Sequence, residues 1–198
     1  EEIKDRLECF GLKEDLDYIV VSDGEAILGI GCQGVGGASR ISLAKLGLMT
    51  LCAGIHPARG LAVALDVGTN NKDLATDPLY MGNKFSRISG DKYFEFLDKF
   101  MMVLKEHYPN VIVHFEDFGV PNAQILLDKY RDVIPCFNDD IQGTGAVVTA
   151  SLMAALKYTN RTLPESKILV YGASTACCGI AQQIVNHLKS FVLSEEEA

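Results

Sequence analysis

Val111-Ile112-Val113-His114-Phe115-Glu116-Asp117 decides how this sequence is read. An apolar run, as expected of a strand buried in a sheet, ends abruptly in two acids. Some twenty residues on, Asn138-Asp139-Asp140-Ile141-Gln142-Gly143-Thr144 sets a second acidic pair in front of a helix of small residues. Carboxylates cost free energy when crowded or dehydrated, so four of them beside apolar segments suggest a hard divalent cation such as Mg²⁺ or Mn²⁺. The plainer reading stays open: acids mark loops, and Asp139 or Asp140 could be an ordinary helix N-cap.

Working outward, Tyr18-Ile19-Val20-Val21 reads as a strand, and the turn Ser22-Asp23-Gly24-Glu25 leads to Ala26-Ile27-Leu28-Gly29-Ile30, giving an expected hairpin. A short helix precedes it, closing at Gly11. Five glycines between Gly29 and Gly37 open into a helix expected over 38–52. Lys45 lies in that helix with Ile41, Leu48 and Met49 one turn away. Either its stem snorkels along the core edge, or it is a desolvated lysine able to act as a general base; what lies opposite decides.

The continuous apolar run over 61–67 reads as a strand buried on both faces. Tyr93, Phe96, Leu97, Phe100, Met101 and Leu104 form one stripe of a helix over 90–107. Helices are expected over 121–130 and 143–158, and a buried strand at Lys167-Ile168-Leu169-Val170-Tyr171. Gly172-Ala173-Ser174-Thr175-Ala176-Cys177-Cys178-Gly179 then turns into a further helix, the opening of a dinucleotide-binding unit. Alternating strands and helices make the fold α/β. A domain boundary is expected near Asn138, dividing the chain into 1–138 and 139–198.

Composition narrows the function. A net charge of -8 with no Lys/Arg cluster argues against nucleic acid as a partner. No apolar stretch approaches the roughly 20 residues of a membrane span, and the acidic start is neither a signal nor a transit peptide. Six cysteines without a Cys-x-x-Cys pair read as reduced thiols of an intracellular protein.

Several separate motifs, in order, resemble the malic enzyme family, its fungal members especially. They are Ser22-Asp23-Gly24-Glu25 with Ile27-Leu28-Gly29-Ile30-Gly31, Leu51-Cys52-Ala53-Gly54-Ile55-His56-Pro57, Leu65-Asp66-Val67-Gly68-Thr69-Asn70-Asn71, Tyr80-Met81-Gly82, His114-Phe115-Glu116-Asp117-Phe118-Gly119 and Phe137-Asn138-Asp139-Asp140-Ile141-Gln142-Gly143-Thr144. The resemblance implies oxidative decarboxylation of L-malate to pyruvate and CO₂ with NAD or NADP, assisted by Mg²⁺ or Mn²⁺. It also implies a homo-oligomer, by family habit a tetramer, in the mitochondrial matrix or cytoplasm.

By motif position, Glu116, Asp117 and Asp140 are similar to the family's metal ligands, Lys45 to its general base, and Asp139 to the acid beside that base. Gly172, Ala173, Ser174, Thr175 and Ala176 fall on its cofactor turn. The resemblance further implies a catalytic domain over 1–138, incomplete at its start, and the opening of a Rossmann-like NAD(P)-binding domain over 139–198.

Four departures qualify it. The family's proton-donating tyrosine falls upstream of Glu1, and the later cofactor domain falls beyond Ala198, so a truncated chain is expected. In the glycine turn, Ser174 and Cys177 stand where a G-x-G-x-x-G/A pattern needs glycine, and glycine or alanine. Cys32 replaces the usual aspartate, and Ala26 stands where animal members have a malate-binding arginine. The alternatives are therefore a catalytically impaired paralogue that acts as a binding or oligomerising fragment, and a malolactic conversion of malate to lactate.

Overall fold

The computed structural model describes residues 2–9, 15–27 and 29–196, the side chains of 191–196 excepted. In chain order its elements are α1 (Glu2–Glu8), β1 (Tyr18–Ser22), α2 (Gly34–Ala53), a 3₁₀ turn (Pro57–Arg59), β2 (Gly60–Ala64), α3 (Lys72–Thr76), α4 (Asp91–His107), β3 (Ile112–Phe115), α5 (Val120–Tyr130), β4 (Cys136–Asn138), a π-helical turn (Asp139–Gly143), α6 (Thr144–Tyr158) and α7 (Thr175–Glu196). They form two compact units, Glu1–Phe137 and Asn138–Ala198. The expected closure of the first helix at Gly11 lies outside the described residues.

The first unit is built on a sheet of order β2-β1-β3-β4. All five residues of β1 are buried, as befits a Val/Ile-rich strand with neighbours on both edges. It runs parallel to β2, from Tyr18 opposite Gly60, and to β3, from Tyr18 opposite Ile112. The hairpin expectation fails for that reason: β1 spends both its edges on parallel partners. Over the following segment only an isolated bridge forms, between Ile27 and Gly31, where Gly29 and Gly31 take φ of 78° and 82° and break the extended run. Leu28 lies outside the described residues.

The 61–67 run also differs from expectation. It contributes the half-buried edge strand β2, and the deeply buried Leu65 and Val67 follow the strand. On the other side, α4 buries Tyr93, Leu97, Phe100, Met101 and Leu104, the expected stripe save Phe96. From α5, Leu126, Leu127 and Tyr130 join the core, and Phe115 and Phe118 meet edge to face at 5.5 Å.

In the second unit the chain after β4 makes one wide π-helical turn and enters α6. Small residues let α7 pack on this turn. A Cβ on Gly179 would lie 2.3 Å from the Ile141 carbonyl oxygen, and one on Gly145 would lie 2.9 Å from Gln183 Nε2. Gln183 in turn donates to the Gln142 carbonyl at 2.8 Å. Leu156, Leu163 and Ile184 form this unit's own core.

The strand expected at 167–171 is absent. The segment joins no ladder among the described residues, and Leu169 and Tyr171 are 87% and 95% exposed. A strand needs a neighbour to satisfy its backbone, and this unit supplies none beside it.

Truncating Leu97, which is fully buried, to alanine leaves a cavity in the first unit and is expected to cost about 2–5 kcal/mol. Urea denaturation checks this; an unchanged midpoint contradicts the placement of α4 on the core.

Candidate active site

In parallel sheets, ligands bind beyond the carboxyl ends of the strands. At those ends lie the buried acids of the first unit's described residues. Asp23 follows β1, and Glu116 and Asp117 follow β3 directly, the Glu116 amide donating to the Val21 carbonyl at 2.9 Å. Asp117 adopts a left-handed conformation, φ 55°, uncommon for a residue other than glycine. This ends the alternation that would send successive side chains to opposite faces. Asp117's carbonyl accepts the Ala26 amide at 3.1 Å, which ties the bend to the loop after β1.

Glu116 is 2% exposed and Asp117 4%, and the two carboxylates approach within 4.8 Å. Lys45 comes from α2 with its Nζ 3.1 Å from Glu116 Oε1 and its side chain 20% exposed. The question of what lies opposite Lys45 is thus answered by a buried carboxylate. The apolar face expected beside it is not what holds it, since Leu48 is 51% exposed. On its other oxygen Glu116 meets His114 Nε2 at 2.7 Å, and His114 Nδ1 lies 2.8 Å from the Tyr18 hydroxyl. Tyr18 and His114 are 4% and 0% exposed.

Behind these acids lies a second buried charge system. Asp23 Oδ2 is 2.6 Å from Arg87 Nη2 and accepts the Tyr93 hydroxyl at 2.7 Å, while its Oδ1 accepts the Glu25 amide at 3.1 Å. Arg87 Nη1 donates to the Asp23 carbonyl at 2.8 Å, and Nη2 lies 3.6 Å from Glu25 Oε2. Burial pushes the Asp23 carboxyl up to about 6, against the opposing pull of Arg87 and Tyr93. Cys32, with its Sγ 3.4 Å from Thr69 Oγ1 and 3.9 Å from Arg87 Nη1, is held below the usual thiol range: burial raises it, and hydrogen bonds and the guanidinium outweigh that.

In the second unit, Asp139 and Asp140 open the π-helical turn. Neither caps it. Asn138 does, its Oδ1 accepting the Ile141 amide at 3.1 Å while its own amide donates to Gln142 Oε1 at 3.0 Å. Asp139's carboxylate folds over Gly143, where a Cβ would sit 1.9 Å from Oδ1, so a side chain there would displace the carboxylate.

Gly172 to Ala176 form the turn into α7, with Gly172 at φ 131°. Ser174 Oγ accepts the Cys177 amide at 3.3 Å, using one of the N-terminal donors that a phosphate would need.

The donor set of Glu116 and Asp117, two buried carboxylates side by side, is all oxygen and fits a hard cation such as Mg²⁺ or Mn²⁺. A groove of about 650 Å³ also runs along α2, lined by Ile30, Arg40, Ile41, Leu79 and Met81 among others. It gathers no comparable cluster of acids and bases, so chemistry favours the strand ends over size.

Sequence reasoning missed Tyr18, His114, Arg87 and Tyr93 as parts of this centre. His114 stood in plain view as the one polar residue inside an apolar strand. Arg87 left no signal, since its segment has no periodicity, and Tyr93 was indistinguishable from its core stripe.

The family model described as "Malic enzyme, N-terminal domain" matches residues 1–131, and "Malic enzyme, NAD binding domain" matches 141–198. The chain belongs to the malic enzyme family. It is 62% identical over 198 residues to the "NAD-dependent malic enzyme, mitochondrial" of Saccharomyces cerevisiae, covering 100% of this chain and 29% of that protein. To the NAD-dependent malic enzyme of Proteus mirabilis it is 52% identical, over 94% of this chain and 33% of that one. The chain thus spans about a third of the length of the curated relatives it matches. The crystal structure of Entamoeba histolytica malic enzyme superposes with a TM-score of 0.66 at 24% identity, over 94% of this chain and 34% of that one, and shares the fold.

Removing the cation from the Asp23–Arg87 pair yields a pH-dependent prediction. Asp23's folded-state value lies above the ordinary 3.8, so its contribution to stability is full below about pH 4 and declines as pH rises through about 6. Arg87→Met strands the carboxylate and is expected to cost about 3–5 kcal/mol at pH 7, and less at pH 4.5, where Asp23 holds its proton. Equal losses in urea melts at the two pH values count against this.

Proposed function

We propose that this chain carries the metal and base portion of an enzyme for the oxidative decarboxylation of L-malate to pyruvate and CO₂, with NAD as oxidant. The observation that carries the reading is the ion pair of Lys45 with the buried Glu116 at the end of β3, with Asp117 beside that carboxylate. The names of the relatives, NAD-dependent malic enzymes, support the reaction and favour NAD over NADP.

Lys45, as the neutral amine, would take the proton of the C2 hydroxyl as hydride passes from C2 to NAD, and Glu116 would orient that amine for the transfer. Glu116, Asp117 and Asp140 would hold Mg²⁺ or Mn²⁺, which supplies Lewis acidity toward the hydroxyl and toward the charge that develops as CO₂ leaves. Asp139, by its motif position, would help set the protonation of the base. The turn from Gly172 to Ala176 would take the cofactor pyrophosphate. The division into a catalytic domain over 1–138 and a cofactor domain from 139 is part of the same reading. So are a homo-oligomer and residence in the mitochondrial matrix or cytoplasm, the yeast relative being described as mitochondrial. Among the described residues no helix is long and apolar enough to cross a membrane.

Assay with malate, Mn²⁺ and NAD separates this reaction from its neighbour: pyruvate with NADH is expected, and lactate without net nicotinamide reduction overturns it. Lys45→Ala is expected to lower turnover by about 10²–10⁴-fold.

A second reading, a cofactor-impaired chain acting as a binding or oligomerising fragment, is favoured by one observation, the Ser174 hydroxyl on the Cys177 amide. Ser174→Gly frees that donor for an anion and is expected to tighten NAD binding roughly tenfold by calorimetry. An unchanged affinity removes the support for impairment.

A further inference from the structure

We infer that His114 is a positioning residue that fixes the carboxylate of Glu116 for its ligand. The inference rests on the reading of Glu116 as a metal ligand. It is carried by a chain of polar groups, all buried but the half-buried Lys45: Tyr18 hydroxyl, His114 Nδ1 at 2.8 Å, His114 Nε2, Glu116 Oε2 at 2.7 Å, and Glu116 Oε1 with Lys45 Nζ at 3.1 Å. The first three residues contribute from the two central parallel strands and the end of one of them, β1 and β3.

The direction of the hydrogen bonds follows from what each atom can do. An ionised carboxylate only accepts, so Nε2 carries the hydrogen that Glu116 Oε2 receives. Nδ1 is then the acceptor for the Tyr18 hydroxyl. Tyr18 therefore selects the Nε2–H form of the ring, and the ring sets the rotation of the carboxylate.

The ring is packed on both sides. It is fully buried, meets Tyr18 edge to face at 5.9 Å, and lies 4.6 Å from the Phe137 ring centroid. Glu116 is consequently gripped on one oxygen by a rigid donor. Its other oxygen lies 3.1 Å from Lys45 Nζ. Partners of this kind, one bond behind a ligand, typically change metal affinity by about 10–100-fold when removed.

The experiment compares wild type with His114→Leu, His114→Gln and Tyr18→Phe, each checked for folding by circular dichroism. Mn²⁺ affinity is measured by electron paramagnetic resonance, without substrate or cofactor. Roughly a tenfold or greater loss is expected for His114→Leu. Recovery to within about threefold of wild type is expected for His114→Gln, whose amide can still donate. Loss in both variants alike, or in neither, overturns the role.

If His114→Leu does not fold, the ring nitrogens of the wild-type protein decide by NMR. An Nε2–H ring that shifts when Mg²⁺ is added supports the inference, and an Nδ1–H ring overturns it. Wild-type protein that binds no Mn²⁺ at all overturns instead the reading of Glu116 as a ligand, and the two failures are thus distinct.

Discussion

A carboxylate with 2% of its surface in contact with solvent keeps its charge only if other groups replace the water, and Glu116 has that arrangement. Lys45 supplies the charge and His114 a fixed donor. Both depend on the parallel pairing of β1 with β3, since Tyr18 opposite Ile112 sets His114 within reach of the tyrosine ring. α2 returns the chain from the end of β1 to the start of β2 and carries Lys45 over the sheet as it does so. The crossover that makes the sheet parallel also delivers the base.

The Asp23–Arg87 pair stands behind this centre. It locks the turn after β1 through both the side chain and the carbonyl of Asp23, and Tyr93 ties the turn to α4. The Ala26 amide then anchors Asp117's bend from the same loop. Two separate charge clusters are thus joined through backbone, so that the geometry at the end of β3 depends on ion pairing that itself touches neither Glu116 nor Lys45.

Periodicity made the helices legible: the stripe from Tyr93 to Leu104 faces the core as its spacing required. It did not reveal partners. Tyr18-Ile19-Val20-Val21 looked like half of a hairpin because its nearest apolar neighbour in sequence follows a turn, whereas its true partners lie some forty and ninety residues away. The acids of the site were visible because charges at the end of an apolar run are costly. Arg87 was not, because a buried cation in an irregular segment has no pattern to betray it. Asn138 was passed over as a cap in favour of the acids after it, although asparagine suits that position equally well.

The segment 167–171 shows what an apolar run does without a neighbour. It joins no ladder among the described residues, and Leu169 and Tyr171 stand almost wholly in water. Such a stretch has the composition that recruits strands from other molecules. An apolar run so exposed favours association with other molecules, and a lysine in place of Leu169 would act as a gatekeeper there.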